Sequence, residues 1–314
     1  MARLSPVSTQ GRSLRAPQSR TGGTVGRGGL VVVDKPGGMT SHDVVSRVRR
    51  LARTRRVGHG GTLDPMATGV LVLGVERATR LLTYIIGSDK SYAATIRLGQ
   101  ATVTDDAEGE VTAEADASGV ADEAVRAGLA ALTGEIDQVP SAVSAIKVNG
   151  QRAYKMVRAG EEVALAARRV TVSRLDVLDV RRAGPHVDVD VDVACSSGTY
   201  IRAIARDLGS ALGVGGHLTS LRRTSVGAFT LAESATLGEL AERDDPVTLT
   251  LSEAAARFLP RRDADESEAK TLSHGGPLSS VGISGPYAVF DPDGEVLAVV
   301  SERDGKARPE IVLV

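Results

Sequence analysis

The spacing of apolar residues along the chain predicts short strands interleaved with amphipathic helices. Residues 29–34 form an apolar run typical of a buried strand, and residues 187–193 alternate valine with aspartate, the period of a strand with one buried face. In residues 40–52 the apolar side chains recur on one helical face, behind Thr40 and Asp43, which have the spacing of a capping box. The chain therefore mixes helices and strands.

The remaining elements follow from the same periodicities and from Gly and Pro breaks. We expect strands at 70–75, 91–99 and 170–180, and helices at 76–86, 119–133, 152–158 and 201–212. Residues 231–246 turn acidic and lose periodicity, which favours a linker, whereas residues 287–300 have the pattern of a hairpin with a polar turn. These breaks predict three parts: a disordered basic arm over 1–28, a main domain over 29–245 and a small C-terminal domain over 246–314.

Composition limits the class of protein. With 42% hydrophobic residues the 314-residue chain can bury a core, although aromatic residues make up only 3%. The single Cys195 excludes an internal disulfide and reads as a small buried packing residue, and no apolar stretch is long enough to cross a membrane. We therefore expect a soluble cytoplasmic protein.

The formal net charge of −1 does not by itself indicate a nucleic-acid partner, but the arginines are unevenly distributed. Residues 47–56 hold six arginines and no acid. A charge run of this kind is usually a solvated helix surface. Its position just before a glycine-rich loop favours phosphate contact instead, and the residues that we assign to it are Arg47, Arg50 and Arg53.

That glycine-rich loop, residues 58–71 with the sequence GHGGTLDPMATGVL, offers a single carboxylate, Asp64. An aspartate before a proline is more often only a turn residue, because its side chain accepts hydrogen bonds from the nearby backbone. Here His59 and the arginine run place the acid in a cationic setting. These residues alone are compatible with two interpretations of Asp64, a catalytic carboxylate and a plain turn residue.

The string GHGGTLDPMATGVL resembles the active-site motif of the bacterial TruB family of tRNA pseudouridine synthases, in which the aspartate is the nucleophile. The resemblance covers roughly residues 29–230. It implies an α+β fold with a central mixed, mainly antiparallel sheet flanked by helices, followed by a small C-terminal β-domain similar to the RNA-binding PUA module. It also implies that Asp64 is the nucleophile.

Two further segments agree with this resemblance. Residues 88–92 with 97–100 are similar to the motif whose tyrosine stacks on the target base, which implies that role for Tyr92, and Gly-Thr-Tyr-Ile-Arg at 198–202 implies that Arg202 pairs with the aspartate. A cation in the first turn of a helix is disfavoured by the dipole, so Arg202 would need an acidic partner in any case. The resemblance also assigns base extrusion to His59 and the lining of the uracil pocket to Tyr200 and Leu221, whose alternative reading is plain core packing.

Other segments are implied to grip the RNA. Residues 134–168 are similar to an insertion that closes on an RNA hairpin, and Lys147 lies within it. Lys35 is expected to hold a phosphate together with the arginine run. Asp105 and Asp106 fall where the family has an acidic loop that faces the substrate, and a metal site there is a weak hypothesis.

The alternating Asp188, Asp190 and Asp192 also invite a metal site, but carboxylates in a row on one strand face diverge, so we expect a solvated face. The sequence contains no phosphate-binding loop, dinucleotide fingerprint or metal-ligand spacing, and an isomerisation needs no cofactor. The expected partner is the T stem-loop of tRNA, with the protein acting as a monomer. Three alternatives remain: a guide-RNA-dependent synthase acting on ribosomal RNA, an RNA-binding or tRNA-folding module without turnover, and a two-carboxylate glycosidase.

Overall fold

The structure, a computed structural model, describes residues 28–143, 147–148, 151–152 and 165–314. The predicted arm over 1–28 lies outside the described residues except for Gly28, as do the predicted helix at 152–158 after its first residue and much of the insertion at 134–168. Among the described residues, no helix combines the length and the apolar character that a membrane crossing requires.

Strands make up most of the regular structure. The first ten are β1 (Gly28–Lys35), β2 (Val57–His59), β3 (Thr68–Glu76), β4 (Lys90–Leu98), β5 (Gln100–Thr102), β6 (Val111–Glu114), β7 (Gly134–Gln138), β8 (Lys147–Val148), β9 (Gln151–Arg152) and β10 (Arg168–Ala183). The others are β11 (His186–Cys195), β12 (Gly216–Val226), β13 (Phe229–Thr230), β14 (Leu249–Thr250), β15 (Arg261–Asp263), β16 (Leu278–Ser279), β17 (Tyr287–Phe290), β18 (Val296–Arg303) and β19 (Lys306–Val312).

The α-helices of the described residues are α1 (Ser41–Leu51), α2 (Leu82–Ile86), α3 (Asp122–Ala131), α4 (Ile201–Ala211), α5 (Leu237–Ala241), α6 (Leu251–Phe258) and α7 (Glu266–Ser273). Helix α1 begins with the predicted capping box: the Asp43 carboxylate accepts from the Thr40 amide at 2.9 Å, and Thr40 Oγ1 accepts from the Asp43 amide at 3.1 Å. The predicted helix at 76–86 is only partly right, because Arg77–Arg80 is a 3₁₀ turn and α2 is short.

A large sheet organises the main part of the protein. Its strand order is β14-β1-β3-β12-β4-β11-β10-β7, with β2 on β3 and β13 on β12. The β3 and β12 pair is parallel, and the other pairs in this sheet are antiparallel. A second sheet, with the order β15-β17-β18-β19-β16, forms the small C-terminal β-unit. The predicted fold class is confirmed.

Apolar side chains cover part of each face of the large sheet. On one face Val187, Val189 and Val191 of β11 pack in a core with helices α1 and α4. On the other face Leu30, Val72 and Leu81 share a core with residues of the C-terminal sheet, among them Phe290 and Leu313. The C-terminal unit therefore packs directly on the back of the large sheet.

Two predictions about surface segments are corrected. The stretch at 231–246 is not a plain linker, because it contains a 3₁₀ turn at Leu231–Glu233 and helix α5. The aspartates of β11 do not diverge into solvent: Asp188 pairs with Arg97 at 2.8 Å, Asp190 with Arg181, and Asp192 with Arg174. The arginines come from β4 and β10, the strands on either side of β11. Cross-strand ion pairs therefore compensate the negative charge of the aspartates. We call these three pairs the arginine-aspartate ladder.

The predicted hairpin is formed by β17 and β18. Residues 249–258 pack on the large sheet, since β14 pairs with β1 and α6 lies against it. The division of the chain at 245 and 246 stays a prediction.

Candidate active site

The loop that carries Asp64 is fixed between helix α1 and the sheet. Ser41 Oγ, at the start of α1, donates to the Leu63 carbonyl at 3.1 Å and accepts from the Leu63 amide at 2.9 Å. Gly61 has φ of +116°, a region in which a side chain would be strained. These contacts hold Asp64 at the wall of a cavity.

Arg202 contacts Asp64 at two points from the first turn of α4. Its Nε lies 3.0 Å from Asp64 Oδ2, and its Nη2 lies 3.4 Å from Oδ1. The arginine side chain is only 6% exposed, whereas the aspartate side chain is 35% exposed. The guanidinium therefore stands behind the carboxylate, which reaches the cavity.

Burial raises the pKa of the Asp64 carboxyl above its ordinary value, and the Arg202 guanidinium opposes this rise. The carboxylate is thus held between a desolvated environment that favours its neutral form and a cation that favours its charged form. A carboxylate that is oriented by one arginine and still exposed to a cavity can act as a nucleophile or a base.

A second carboxylate, Asp106, lies on the other side of the same guanidinium. Asp106 Oδ2 is 3.3 Å from Arg202 Nη1, and the guanidinium also donates to the carbonyls of Thr104 and Val143 at 2.8 and 3.0 Å. Asp106 is buried, and Asp105 pairs with Arg206 at 3.5 Å. The acidic loop thus faces two arginines of α4, which corrects the expectation that it faces the substrate.

Tyr92 lies on β4 in register with Arg223 of β12. The tyrosine is buried, and burial raises the pKa of its hydroxyl, so Tyr92 is a neutral phenol in the free protein. Arg223 is also buried, and it donates to the carbonyls of Val70, Thr62 and Gly61 at 2.7, 3.3 and 3.2 Å. It therefore ties the loop ahead of Asp64 to the sheet.

A cavity of about 250 Å³ brings these groups together. Asp64, Tyr92, Arg202, Tyr200 and Leu221 all line it, so it unites the three predicted catalytic residues with two of the predicted substrate-binding residues. The other described residues that line it are Gly61, Thr62, Leu63, Ile86, Lys90, Ser197, Gly198, Thr199, Ile201 and Arg223.

His59 lies on β2, in register with Leu73, and is not among the residues lining the cavity. Its ring meets the ring of His42 edge-on with centroids 5.5 Å apart, and its Nδ1 has no hydrogen-bond partner in the described part of the chain. Burial lowers the pKa of His59, so the imidazole is neutral. His59 thus lies beside the catalytic loop and not inside the cavity.

Lys35 does not fit the direct phosphate contact that we predicted. Its side chain is fully buried, and Nζ donates to the carbonyls of Pro36, Met39 and Pro65 at 2.9, 2.6 and 3.2 Å. Because all three ammonium donors are used inside the protein, Lys35 instead ties the turn after β1 to the residue that follows Asp64.

The arginines at 47–56 fall into two groups, according to whether their side chains contact other parts of the protein. Arg47 and Arg50 of α1 and Arg53 just after it are exposed. In contrast, Arg49 donates to the Val57 carbonyl at 3.1 Å, and Arg56 lies 3.7 Å from Glu76. The side chain of Lys147 lies outside the described residues. No cluster of three or more His, Cys, Asp or Glu side chains in the described ranges could hold a metal ion.

Comparisons with known proteins agree with this geometry. The family described as "TruB family pseudouridylate synthase (N terminal domain)" matches residues 49–201. The description "tRNA pseudouridylate synthase B C-terminal domain" matches residues 202–251, and "tRNA Pseudouridine synthase II, C terminal" matches residues 259–314.

Curated relatives are similar over nearly their whole length. A tRNA pseudouridine synthase B of Arthrobacter sp. (strain FB24) is 59% identical over 90% of this chain and 96% of that protein. Another, of Rhodococcus jostii (strain RHA1), is 58% identical over 96% of this chain and 98% of that protein.

Among solved structures, a chain of a Cbf5-Nop10-Gar1 complex has a TM-score of 0.70 and 25% identity, covering 92% of this chain and 86% of the other. A chain of an archaeal box H/ACA sRNP Nop10-Cbf5 complex has a TM-score of 0.67 and 26% identity over 92% and 87%. The fold and the cavity around Asp64 are those of a pseudouridylate synthase. Within that class, the chain belongs to the TruB family.

Sequence reasoning missed the places of three cavity or loop residues. Asp106 was read as facing the substrate, Lys90 was read only as part of the motif at 88–92, and Arg223 was given no role. The signal for Lys90 was available, since Lys90 is two residues from Tyr92 on the same strand face. What the sequence could not show is that β12 places Arg223 beside them.

Proposed function

We propose that this chain isomerises uridine to pseudouridine at position 55 in the T loop of tRNA. The observation that carries the proposal is the Asp64 carboxylate, held by Arg202 at the wall of the cavity that also contains Tyr92. The curated relatives at 58 and 59% identity support tRNA as the substrate.

The proposed chemistry begins with a uridine extruded from the folded RNA, which costs a few kcal/mol of unstacking. His59, beside the cavity, assists the extrusion, and the base enters between Tyr92, Tyr200 and Leu221. Asp64 then either attacks the sugar or takes a proton from it, and the N-glycosidic bond breaks. The uracil rotates and rejoins the sugar through C5, and no cofactor takes part.

Arg202 orients the Asp64 carboxylate and opposes its neutralisation by burial. Tyr92 stacks on the base, a role for which a neutral phenol is suited. To accept the C5 proton, Tyr92 would first have to give up its own hydroxyl proton. Lys35 has a positioning role in place of the phosphate contact, because it holds the residue after Asp64.

Phosphate contact falls to Arg47, Arg50 and Arg53, whose exposed side chains lie just ahead of the catalytic loop. We further propose that the region 134–168, including Lys147, grips the RNA hairpin and that the C-terminal unit binds RNA. The protein is proposed to act as a cytoplasmic monomer.

The rival functions are less well supported. A two-carboxylate glycosidase needs a second acid at the bond that breaks. In the described residues, Asp64 is the only carboxylate that lines the cavity, since Asp106 is turned towards Arg202. A module without turnover would not need an oriented carboxylate in a base-sized cavity. A guide-dependent synthase would require an added guide RNA.

The test is Asp64→Asn, assayed with a T stem-loop RNA and no guide RNA, with mapping of pseudouridine at nucleotide resolution. We expect no pseudouridine and nearly unchanged RNA affinity, because the amide keeps the shape and loses the nucleophile. Asp244→Asn, an exposed carboxylate in the acidic stretch, is the control and should keep full activity. Turnover by Asp64→Asn close to that of the unchanged protein would refute the assignment.

A further inference from the structure

Two buried cations next to Tyr92 have no part in the mechanism described above. Lys90 is 7% exposed and Arg223 is 1% exposed, and both line the same cavity as Asp64. Lys90 precedes Tyr92 by two residues on β4, so the two side chains leave the strand on the same face. Lys90 therefore shares the cavity wall with Tyr92, on which the uracil is proposed to stack.

The hydrogen bonds of the two cations differ in one respect. Arg223 directs Nε, Nη1 and Nη2 to three main-chain carbonyls. Lys90 Nζ donates to the carbonyl of Ile86 at 2.9 Å and to that of Ser88. An ammonium has three donors, and the third finds no acceptor in the part of the chain that the structure describes. Lys90, which lines the cavity, thus has one donor left for a ligand.

The charge around Lys90 is also unbalanced. No carboxylate of the described residues forms a close ion pair with Lys90 or with Arg223; Asp89 attracts Lys90 and Asp64 attracts Arg223 only at longer range. Burial, and after it the Arg223 charge, lowers the pKa of Lys90. Buried charges are normally paired, because removing a charge from water is costly. Two adjacent unpaired cations suit a cavity that receives negative charge during the reaction.

We propose that Lys90 is a further catalytic residue, which donates its free N–H to a carbonyl oxygen of the extruded uracil and stabilises the negative charge of the departing base. The proposal rests on the proposed function. When the bond between N1 and C1′ breaks, its electron pair remains on the uracil and is shared with the carbonyl oxygens. This holds whether Asp64 forms a bond to the sugar or removes a sugar proton. The lysine proton stays on Nζ throughout.

The competing explanation is purely structural. Lys90 joins the carbonyls of Ile86 and Ser88, so its loss could slow the reaction only by loosening the turn between α2 and β4. The two explanations differ in their dependence on the leaving base. A 5-fluorouracil anion is more stable than a uracil anion because fluorine withdraws electrons, so it needs less help from a cation.

The experiment compares the unchanged protein with Lys90→Met on T stem-loop RNAs that carry uridine or 5-fluorouridine at the target position. Single-turnover rates of loss of the starting nucleoside are measured at saturating protein. We expect Lys90→Met to lower the rate with uridine by about 100-fold, as does the removal of one donor to a developing anion, and to lower it much less with 5-fluorouridine. RNA affinity should change little.

Lys90→Gln retains a neutral donor that can still reach the turn carbonyls. It should show an intermediate rate with uridine and the same preference for 5-fluorouridine, and it serves in place of Lys90→Met should the latter not fold. Arg126→Met, which removes an exposed cation of α3, is the matched control and should keep full rates with both RNAs.

Equal losses on both RNAs, or no loss, would overturn the role of Lys90 and leave the proposed function intact. Failure of the unchanged protein to form pseudouridine from the uridine substrate would instead refute the proposed function, and the inference with it.

Discussion

At the scale of single residues, the protonation of Asp64 is set by two opposing influences. Burial raises the pKa of its carboxyl, and the Arg202 guanidinium 3.0 Å away lowers it. In the proposed mechanism the carboxylate of Asp64 is the nucleophile or the base, so activity should fall as the pH drops through the pKa of Asp64. The acid limb of the pH profile therefore reports on this pair.

Removing the cation should move that limb in a defined direction. In Arg202→Gln the lowering influence is lost and burial remains, so the pKa of Asp64 rises further and the acid limb of kcat/KM shifts to higher pH. The profile is measured with T stem-loop RNA. Arg206→Gln, one turn along α4 and paired with Asp207 at 2.8 Å, is the control and should leave the limb in place. A shift to lower pH would contradict the arrangement.

The sequence predicts the role of a site residue when the signal is local, and fails when the role depends on a contact partner that is distant in the chain. Asp64, Tyr92 and Arg202 were predicted to share a site because each stands in a short recognisable string, and all three line one cavity. Lys35 was misassigned because a lysine beside glycines looks exposed, and only the folded chain shows that three carbonyls surround its Nζ. Asp106 was misread for the same reason, since its partner Arg202 is distant in sequence.

At the scale of elements, the packing of helix α1 decides which of its arginines are exposed for the proposed contact with RNA. The capping box at Thr40 begins the helix, its apolar face packs in the core, and Arg47 and Arg50 are left on the exposed side. Periodicity predicted this helix and the strands that alternate strictly, such as β4 and β11. It failed for Arg77–Arg80, which form a 3₁₀ turn, because the apolar residues that gave the helical spacing, Leu81, Leu82 and Ile85, all lie after this turn.

The exposed arginines of α1 should govern the salt dependence of RNA binding. In Arg47→Gln with Arg50→Gln, the affinity for T stem-loop RNA should fall, and the slope of log K against log salt should become less steep by about 2, roughly one unit for each lost phosphate contact. Equilibrium binding over a range of salt concentrations measures this. Arg126→Gln, an exposed arginine of α3, should leave the slope unchanged, and an unchanged slope in the double variant would argue against the contact.

At the scale of the whole molecule, the C-terminal sheet and the large sheet share one apolar core. Hydrogen bonds reinforce this contact: Arg77 and Arg80 donate to the carbonyls of Leu313 and Val312 at 2.9 and 2.7 Å, and Tyr84 donates to Glu310 at 2.7 Å. The two units are therefore expected to unfold together.

Phe290→Ala tests this coupling, because Phe290 lies in the shared core and is almost fully buried. We expect a loss of about 3–5 kcal/mol in the free energy of unfolding, as for other buried Phe→Ala changes, within a single denaturant transition. Leu178→Ala, at an exposed site on β10, should change the free energy by less than about 0.5 kcal/mol. Two separated transitions in the unchanged protein would show that the units are independent.

The arginine-aspartate ladder has a consequence for how a polyanion would first meet this molecule. Each aspartate of β11 is neutralised by an arginine of an adjacent strand, so that side of the sheet exerts little long-range pull or repulsion. The exposed Arg47 and Arg50 of α1 then form a positive patch with no such pairing. Such a patch would steer a diffusing nucleic acid towards the side proposed to bind it before any specific contact forms, even though the formal net charge of the protein is only −1.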